Sequence, residues 1–161
     1  MDVPAKARAV IIGGGVVGCS IAYHLGKLGW QDVVLLERKQ LTCGTTWHAA
    51  GLIAQLRATQ NMTRLAKYSQ ELYFGLEDET GVATGFKRNG SMTVALTDER
   101  MEELRRSAAM ARAFGVEIDE ISASDIDDRY PGLKIDDVVG GVFLPKDCLL
   151  YTSDAADEED S

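Results

Sequence analysis

Three glycines in the stretch "VIIGGGVVGCS" carry the first chemistry legible in this chain: Gly13, Gly15 and Gly18, spaced G-x-G-x-x-G. In such a pattern the first glycine permits a tight turn and the second lets backbone approach a pyrophosphate. The third allows a helix to pack closely on a strand. Val16 and Val17 fall at the start of that helix, where unsatisfied N–H groups and the positive dipole end favour phosphate. Glu37 follows Gly18 by nineteen residues, a position from which a carboxylate accepts hydrogen bonds from ribose hydroxyls. With Arg38 beside it, Glu37 closes the second strand and disfavours a 2′-phosphate, which argues against NADP. A second group lies just beyond, in "LTCGTTWHAAGL": Gly44, Thr45, Thr46, His48, Ala49 and Gly51. Small residues let backbone come close to a ligand, and an imidazole among them is a spectator, a ligand or a nucleophile.

These residues need elements to hold them. Ala9 to Ile12 is a continuous apolar run, as in a strand buried on both faces. Val17, Ile21, Leu25 and Leu28 recur at helical spacing and Gly29 suits the stop. Val33 to Leu36 repeats the strand pattern. Two such strands joined by a helix are parallel with a right-handed crossover, so the fold class is α/β, opening on a Rossmann-like βαβ unit. One such unit is not a complete sheet.

Farther on, Leu65, Tyr68, Leu72 and Leu76 mark one apolar helix face that closes at Gly81. "FKRNGSMTVAL" alternates around Asn89-Gly90, which predicts a hairpin. Asp98 to Phe114 reads as a helix capped by Thr97, with Met101, Leu104, Ala108 and Ala111 along one side. Ser122 and Asp125 form a capping pattern ahead of a stop at Pro131, and Val138 to Leu144 reads as a strand. We expect residues 1–82 to be the N-terminal part of a dinucleotide-binding domain, and residues 83–147 to start an α+β substrate domain. Residues 148–161, "CLLYTSDAADEEDS", read in their first eleven codons like the reverse complement of a sequencing-library adapter, and are expected to be foreign to the natural chain.

The formal net charge of −8 disfavours nucleic acid and anionic membranes. Asp154, Asp157, Glu158, Glu159 and Asp160 all lie in the tail, so leaving them out brings the charge from −8 to −3. No window approaches the length of a membrane span. Three cysteines without metal-like spacing suit a bacterial cytoplasm. Asp125, Asp127 and Asp128 lack calcium-loop spacing, so no metal site is expected. His24 falls on the helix face between Ile21 and Leu28 and is expected to be a partly buried structural residue. Cys19 suits small packing, and Cys43 has no partner nearby in sequence.

The small-residue loop after Glu37 resembles that of FAD-binding domains in the amine and amino-acid oxidase superfamily. The likeness favours FAD over NAD, places Gly44 to Thr46 near the phosphate bridge and Ala49 to Gly51 nearer the ring. "VIIGGGVVGCSIAYHL", "VVLLER" and "GTTWHAAGL", with "GFKRNGSMTVAL", "RYPGL" and "GGVFLPKD", resemble the dimethylglycine and sarcosine dehydrogenase family over residues 7–147. In that family "PKD" continues with Gly; here Cys148 stands there, where the adapter-like reading begins. The resemblance implies covalent FAD attachment through the His of the Trp-His pair, His48. A neutral imidazole nitrogen adds to the flavin 8α carbon when the two are held in contact. A loop histidine that only packs near a non-covalent flavin is the alternative.

The resemblance further implies that the parent protein oxidises the N-methyl carbon of a small amine such as sarcosine or dimethylglycine. The iminium product is hydrolysed to formaldehyde or captured by tetrahydrofolate in a C-terminal region absent here, and an electron-transfer flavoprotein takes the electrons. No catalytic base is assigned, and the chain by itself is expected to be inactive and poorly stable. A non-covalent FAD amino-acid oxidase and a non-catalytic nucleotide-binding module are the alternatives.

Overall fold

The computed structural model describes residues 4–150; the rest of the expected foreign tail lies outside the described residues. Chain contacts group the residues into two compact units, one up to Ala50 and one from Gly51 onward, a division earlier than the expected 82/83 boundary.

The first unit is the βαβ motif. β1 (Ala9–Ile12), α1 (Val16–Lys27) and β2 (Val33–Leu36) follow in order, with β1 and β2 parallel and Ala9 opposite Val33. Gly29, at φ +76°, ends the helix turn: its N–H donates to the Gly26 carbonyl at 2.9 Å, and the Trp30 N–H to that of Leu25 at 2.9 Å. Burial on both strand faces is not realised. Ile11 is buried, whereas Ile12 is 88% exposed, because among the described residues the sheet of this unit has two strands. An apolar run of this kind needs further strands and a second helix layer to cover it.

The second unit carries β3 (Leu52–Ile53), α2 (Gln60–Thr80), β4 (Phe86–Lys87), β5 (Ser91–Ala95), α3 (Asp98–Ala113), β6 (Asp119–Ile121), α4 (Ala123–Arg129), β7 (Gly140–Leu144) and β8 (Cys148–Leu150). They build two three-stranded sheets, in the orders β3-β8-β4 and β5-β7-β6. β7 is buried along its whole length. Val142 and Leu144 join the cluster formed with Met101, Leu104, Ala108 and Ala111 of α3, and Phe143 joins Ile121 and Ile126 in a second cluster. The alternation follows from the period of two along a strand. Thr97 Oγ1 caps α3 by accepting the Arg100 N–H at 3.2 Å, and Ser122 with Asp125 forms the expected capping box on α4.

Two expectations are corrected here. Asn89-Gly90 does not close a hairpin: β4 pairs with β8 and β5 with β7, each antiparallel. The chain runs on through Gly90 (φ +76°), whose N–H donates to the Asp147 carbonyl at 2.9 Å. Residues 88–90 thus face residues 145–148 across a local irregularity in one long antiparallel pairing. α2 does not bury its leucine face. Thr63 and Gln70 are the buried positions, and Leu65 and Tyr68 are exposed. The buried side of α2 instead joins a polar network in which Gln55 Nε2 donates to Gln70 Oε1 at 2.6 Å. Both oxygens of the buried Asp147 carboxylate accept, from the Gln55 N–H at 2.8 Å and the Ser91 hydroxyl at 2.6 Å. Cys148–Leu150, read from the sequence as the start of the foreign tail, forms β8 between β3 and β4, antiparallel to both.

Candidate dinucleotide site

The turn between β1 and α1 is built on glycine. Gly13 adopts φ +102°, a region costly for any residue with a Cβ. A Cβ on Gly18 would lie 1.9 Å from the Gly13 carbonyl oxygen, so helix and turn touch through the missing side chain. Gly15 occupies the N-cap of α1 and offers no side-chain cap of its own. The Val16 N–H is taken up by Thr46 Oγ1 at 2.9 Å, and a Cβ on Gly15 would come within 3.1 Å of that hydroxyl.

Glu37 leaves the end of β2 and turns back toward the glycines. Its Oε2 accepts the Gly14 N–H at 2.8 Å and its Oε1 the Lys39 N–H at 2.9 Å. The Gly14 hydrogen bond, seconded by that of Lys39, holds the carboxyl below its ordinary value of 4.5, because both favour the ionised form. A carboxylate oxygen has a second lone pair, so ribose hydroxyls remain possible partners. The Gly14 carbonyl in turn accepts the Thr42 N–H at 2.9 Å and the Cys19 thiol at 3.5 Å. Thr42 itself has φ +64°, which folds residues 41–48 back as successive turns.

Together these segments border a cleft of about 670 Å³ within the first unit, in the size range of cofactor sites. Of the residues singled out from the sequence, Gly13, Gly15, Val16, Val17, Gly18, Glu37, Arg38, Gly44, Thr45, Thr46 and Ala49 line it. His48 does not; it is exposed, with its N–H donating to the Thr45 carbonyl at 3.2 Å. Gly51 belongs to the second unit, where its carbonyl accepts the Leu150 N–H at 2.9 Å. Its φ of +73°, and the 2.5 Å that would separate a Cβ from the Leu150 oxygen, explain the glycine there by packing. Lys39, Thr42 and Cys43 also line the cleft and were not foreseen; their position between Glu37 and the small-residue cluster was the available signal. His24 is half-buried with Nδ1 2.7 Å from the Ser20 carbonyl, as a structural helix histidine should be.

A βαβ unit, a glycine turn against a helix N-terminus and an acid at the second strand end define a dinucleotide-binding domain. The chain belongs to the FAD dependent oxidoreductase family, whose model matches residues 8–158. It is 40% identical over 153 residues to the mouse mitochondrial pyruvate dehydrogenase phosphatase regulatory subunit, covering 95% of this chain and 17% of that protein. It is 40% identical to mouse mitochondrial sarcosine dehydrogenase, over 89% of this chain and 16% of the enzyme. With rat mitochondrial dimethylglycine dehydrogenase the identity is 42%, over 88% of this chain and 17% of the enzyme. Among solved structures, L-proline dehydrogenase from P. horikoshii superposes with a TM-score of 0.84 at 29% identity, covering 92% of this chain and 39% of that one. The chain thus spans about a sixth of the length of these curated relatives, and the incomplete sheet of the first unit agrees with a partial domain. Among the described residues, no helix is long and apolar enough to cross a membrane.

Proposed function

We propose that this chain is the FAD cradle of an amine dehydrogenase that oxidises N-methylated amino acids of the sarcosine or dimethylglycine type. The observation that carries the reading is the cleft over Gly13, Gly15 and Gly18, bordered by Glu37 and by the small-residue loop. The cradle fits the group: Gly13 leaves open space where a Cβ would stand, and the first turn of α1 presents N–H groups that no helix satisfies internally. In this reading Glu37 holds the ribose, the start of α1 with Thr45 and Thr46 holds the phosphates, and Arg38 and Lys39 offset phosphate charge. Bound FAD supplies the two-electron acceptor for oxidation of the N-methyl carbon. This chain's part is to bind and orient it, so we assign no catalytic base here.

His48 is proposed as the point of covalent attachment. Its exposure leaves the imidazole accessible, and the sarcosine and dimethylglycine dehydrogenases named above support the substrate class. The remaining elements of the proposal are tetrahydrofolate in a region beyond this chain, an electron-transfer flavoprotein as acceptor and the bacterial cytoplasm as location. Acid precipitation of the parent protein should leave yellow, fluorescent material in the pellet, and H48A should release it to the supernatant. Colour in the supernatant of the unaltered protein would remove the bond. Steady-state oxidation of sarcosine and dimethylglycine by the parent tests the substrate class; turnover of neither would remove it.

The similarity to a phosphatase regulatory subunit favours a second reading, a nucleotide-binding module without catalysis. That reading predicts FAD binding by the parent with no reduction of the flavin by any N-methyl amine.

A further inference from the structure

Apolar residues that the second unit leaves uncovered on β3 and α2 line one groove. Leu52 and Ile53 of β3 and Met62, Ala66 and Tyr73 of α2 border a space of about 240 Å³, smaller than the roughly 300 Å³ at which drug-sized sites begin. Met62, Ala66 and Tyr73 share one helix face, whereas Thr63 and Gln70, roughly a quarter-turn round, are the buried positions of α2. Arg57 stands on the lip as the cation of this lining, and no Asp or Glu borders the groove among the described residues. Its backbone is held by the buried Thr63 hydroxyl, which accepts the Arg57 N–H at 3.1 Å and donates to the Arg57 carbonyl at 3.3 Å. Among the described residues the guanidinium makes one hydrogen bond, from Nη1 to the Leu56 carbonyl at 3.3 Å, fewer than its N–H donors can form. A fixed guanidinium beside apolar walls, with no acid to compete, suits an aliphatic stem that ends in a carboxylate.

We propose that the parent protein oxidises, besides amines of the sarcosine type, N-methylamino carboxylates whose carboxylate lies several methylenes from nitrogen. Arg57 binds the carboxylate and the groove between β3 and α2 takes the stem. This activity rests on the amine dehydrogenase reading, and the chemistry at nitrogen is the same. The neutral amine loses a hydride from its N-methyl carbon to the flavin, and water splits the resulting iminium into formaldehyde and the primary ammonium. What the groove adds is selection: apolar walls favour each further methylene, and the guanidinium rejects amines that lack the acid.

The test uses the flavin-loaded parent protein. Calorimetry with pentanoate, which has the stem and the carboxylate but no amine to oxidise, and with acetate reads the groove without turnover. Pentanoate should bind about tenfold tighter than acetate, because an open groove buries one side of the added methylenes. R57Q should weaken both about tenfold, as for loss of a hydrogen bond to a charged group. M62Q keeps the side-chain length and should weaken pentanoate about fourfold, near the burial of one methylene, while acetate is unchanged. The parent should also release formaldehyde from 5-(methylamino)pentanoate. Pentanoate bound no tighter than acetate, or bound equally by R57Q and the unaltered parent, would overturn the groove and its anchor even if sarcosine is oxidised. Turnover of sarcosine or dimethylglycine without turnover of 5-(methylamino)pentanoate would overturn the added activity and leave the amine dehydrogenase reading standing. Turnover of no N-methyl amine at all would overturn that reading and this activity with it.

Discussion

At Gly18 there is no room for a methyl group, since a Cβ would meet the Gly13 carbonyl at 1.9 Å. G18A must therefore push α1 off the turn, and we expect a loss of about 3 kcal/mol in denaturant unfolding; a loss under 0.5 kcal/mol would contradict the geometry. Glu37 adds a pH dependence whose sign is fixed. The Gly14 and Lys39 amides hold its folded-state pKa below 4.5, so its stabilisation is fully present above 4.5 and is lost as pH falls through the depressed value. The Gly14 amide signal should titrate below pH 4.5 and cease to do so in E37Q; a midpoint above 4.5 would be the wrong sign. The glycines and Glu37 were legible because their spacing encodes a turn, a close approach and a strand end. Thr46 on Val16 was not, because a hydrogen bond between residues thirty apart leaves no local pattern. His48 stands apart: the Trp-His pair marks it in the sequence, and it is not among the residues that line the glycine cleft.

Elements with strong local signals came out as the sequence predicts. α3 has its cap at Thr97, its carboxylates in the first turn and its four apolar positions buried. T97A should cost about 1 kcal/mol and L104A about 3 kcal/mol in unfolding experiments; equal effects would indicate that α3 is held by its cap rather than by its packed face. Elements governed by distant partners were illegible. Asn89-Gly90 has the composition of a tight turn, but β4 and β5 both find strands far later in the chain, β4 at Leu149–Leu150 and β5 at Gly140–Leu144, and the left-handed glycine serves an irregularity in that pairing instead. A Cβ at Gly90 would meet the Phe143 ring at 2.4 Å. G90A should therefore destabilise the second unit by about 2 kcal/mol, read as a lower melting temperature, whereas a hairpin turn open to solvent would tolerate the same change. α2 misled for a related reason: its buried side is chosen by the Gln55–Gln70 and Asp147 hydrogen bonds, which periodicity of apolar residues does not record.

For the whole molecule, the fold class, the βαβ opening and the incompleteness of its sheet were readable from the sequence. Val10, Ile12, Leu65 and Phe74 are exposed apolar residues on elements whose patterns call for burial, consistent with a chain that covers 39% of the L-proline dehydrogenase to which it is similar. The central claim is that the glycine cleft of the first unit holds FAD. Its most direct test is titration of FAD into the 161-residue chain, followed by the backbone amide signals of Gly13, Gly15, Val17 and Gly18 alongside flavin fluorescence. The account predicts saturable shifts concentrated at those four amides with matching fluorescence change, and no such shifts with NADP. Shifts confined to other residues, or a response to NADP equal to that for FAD, would contradict it.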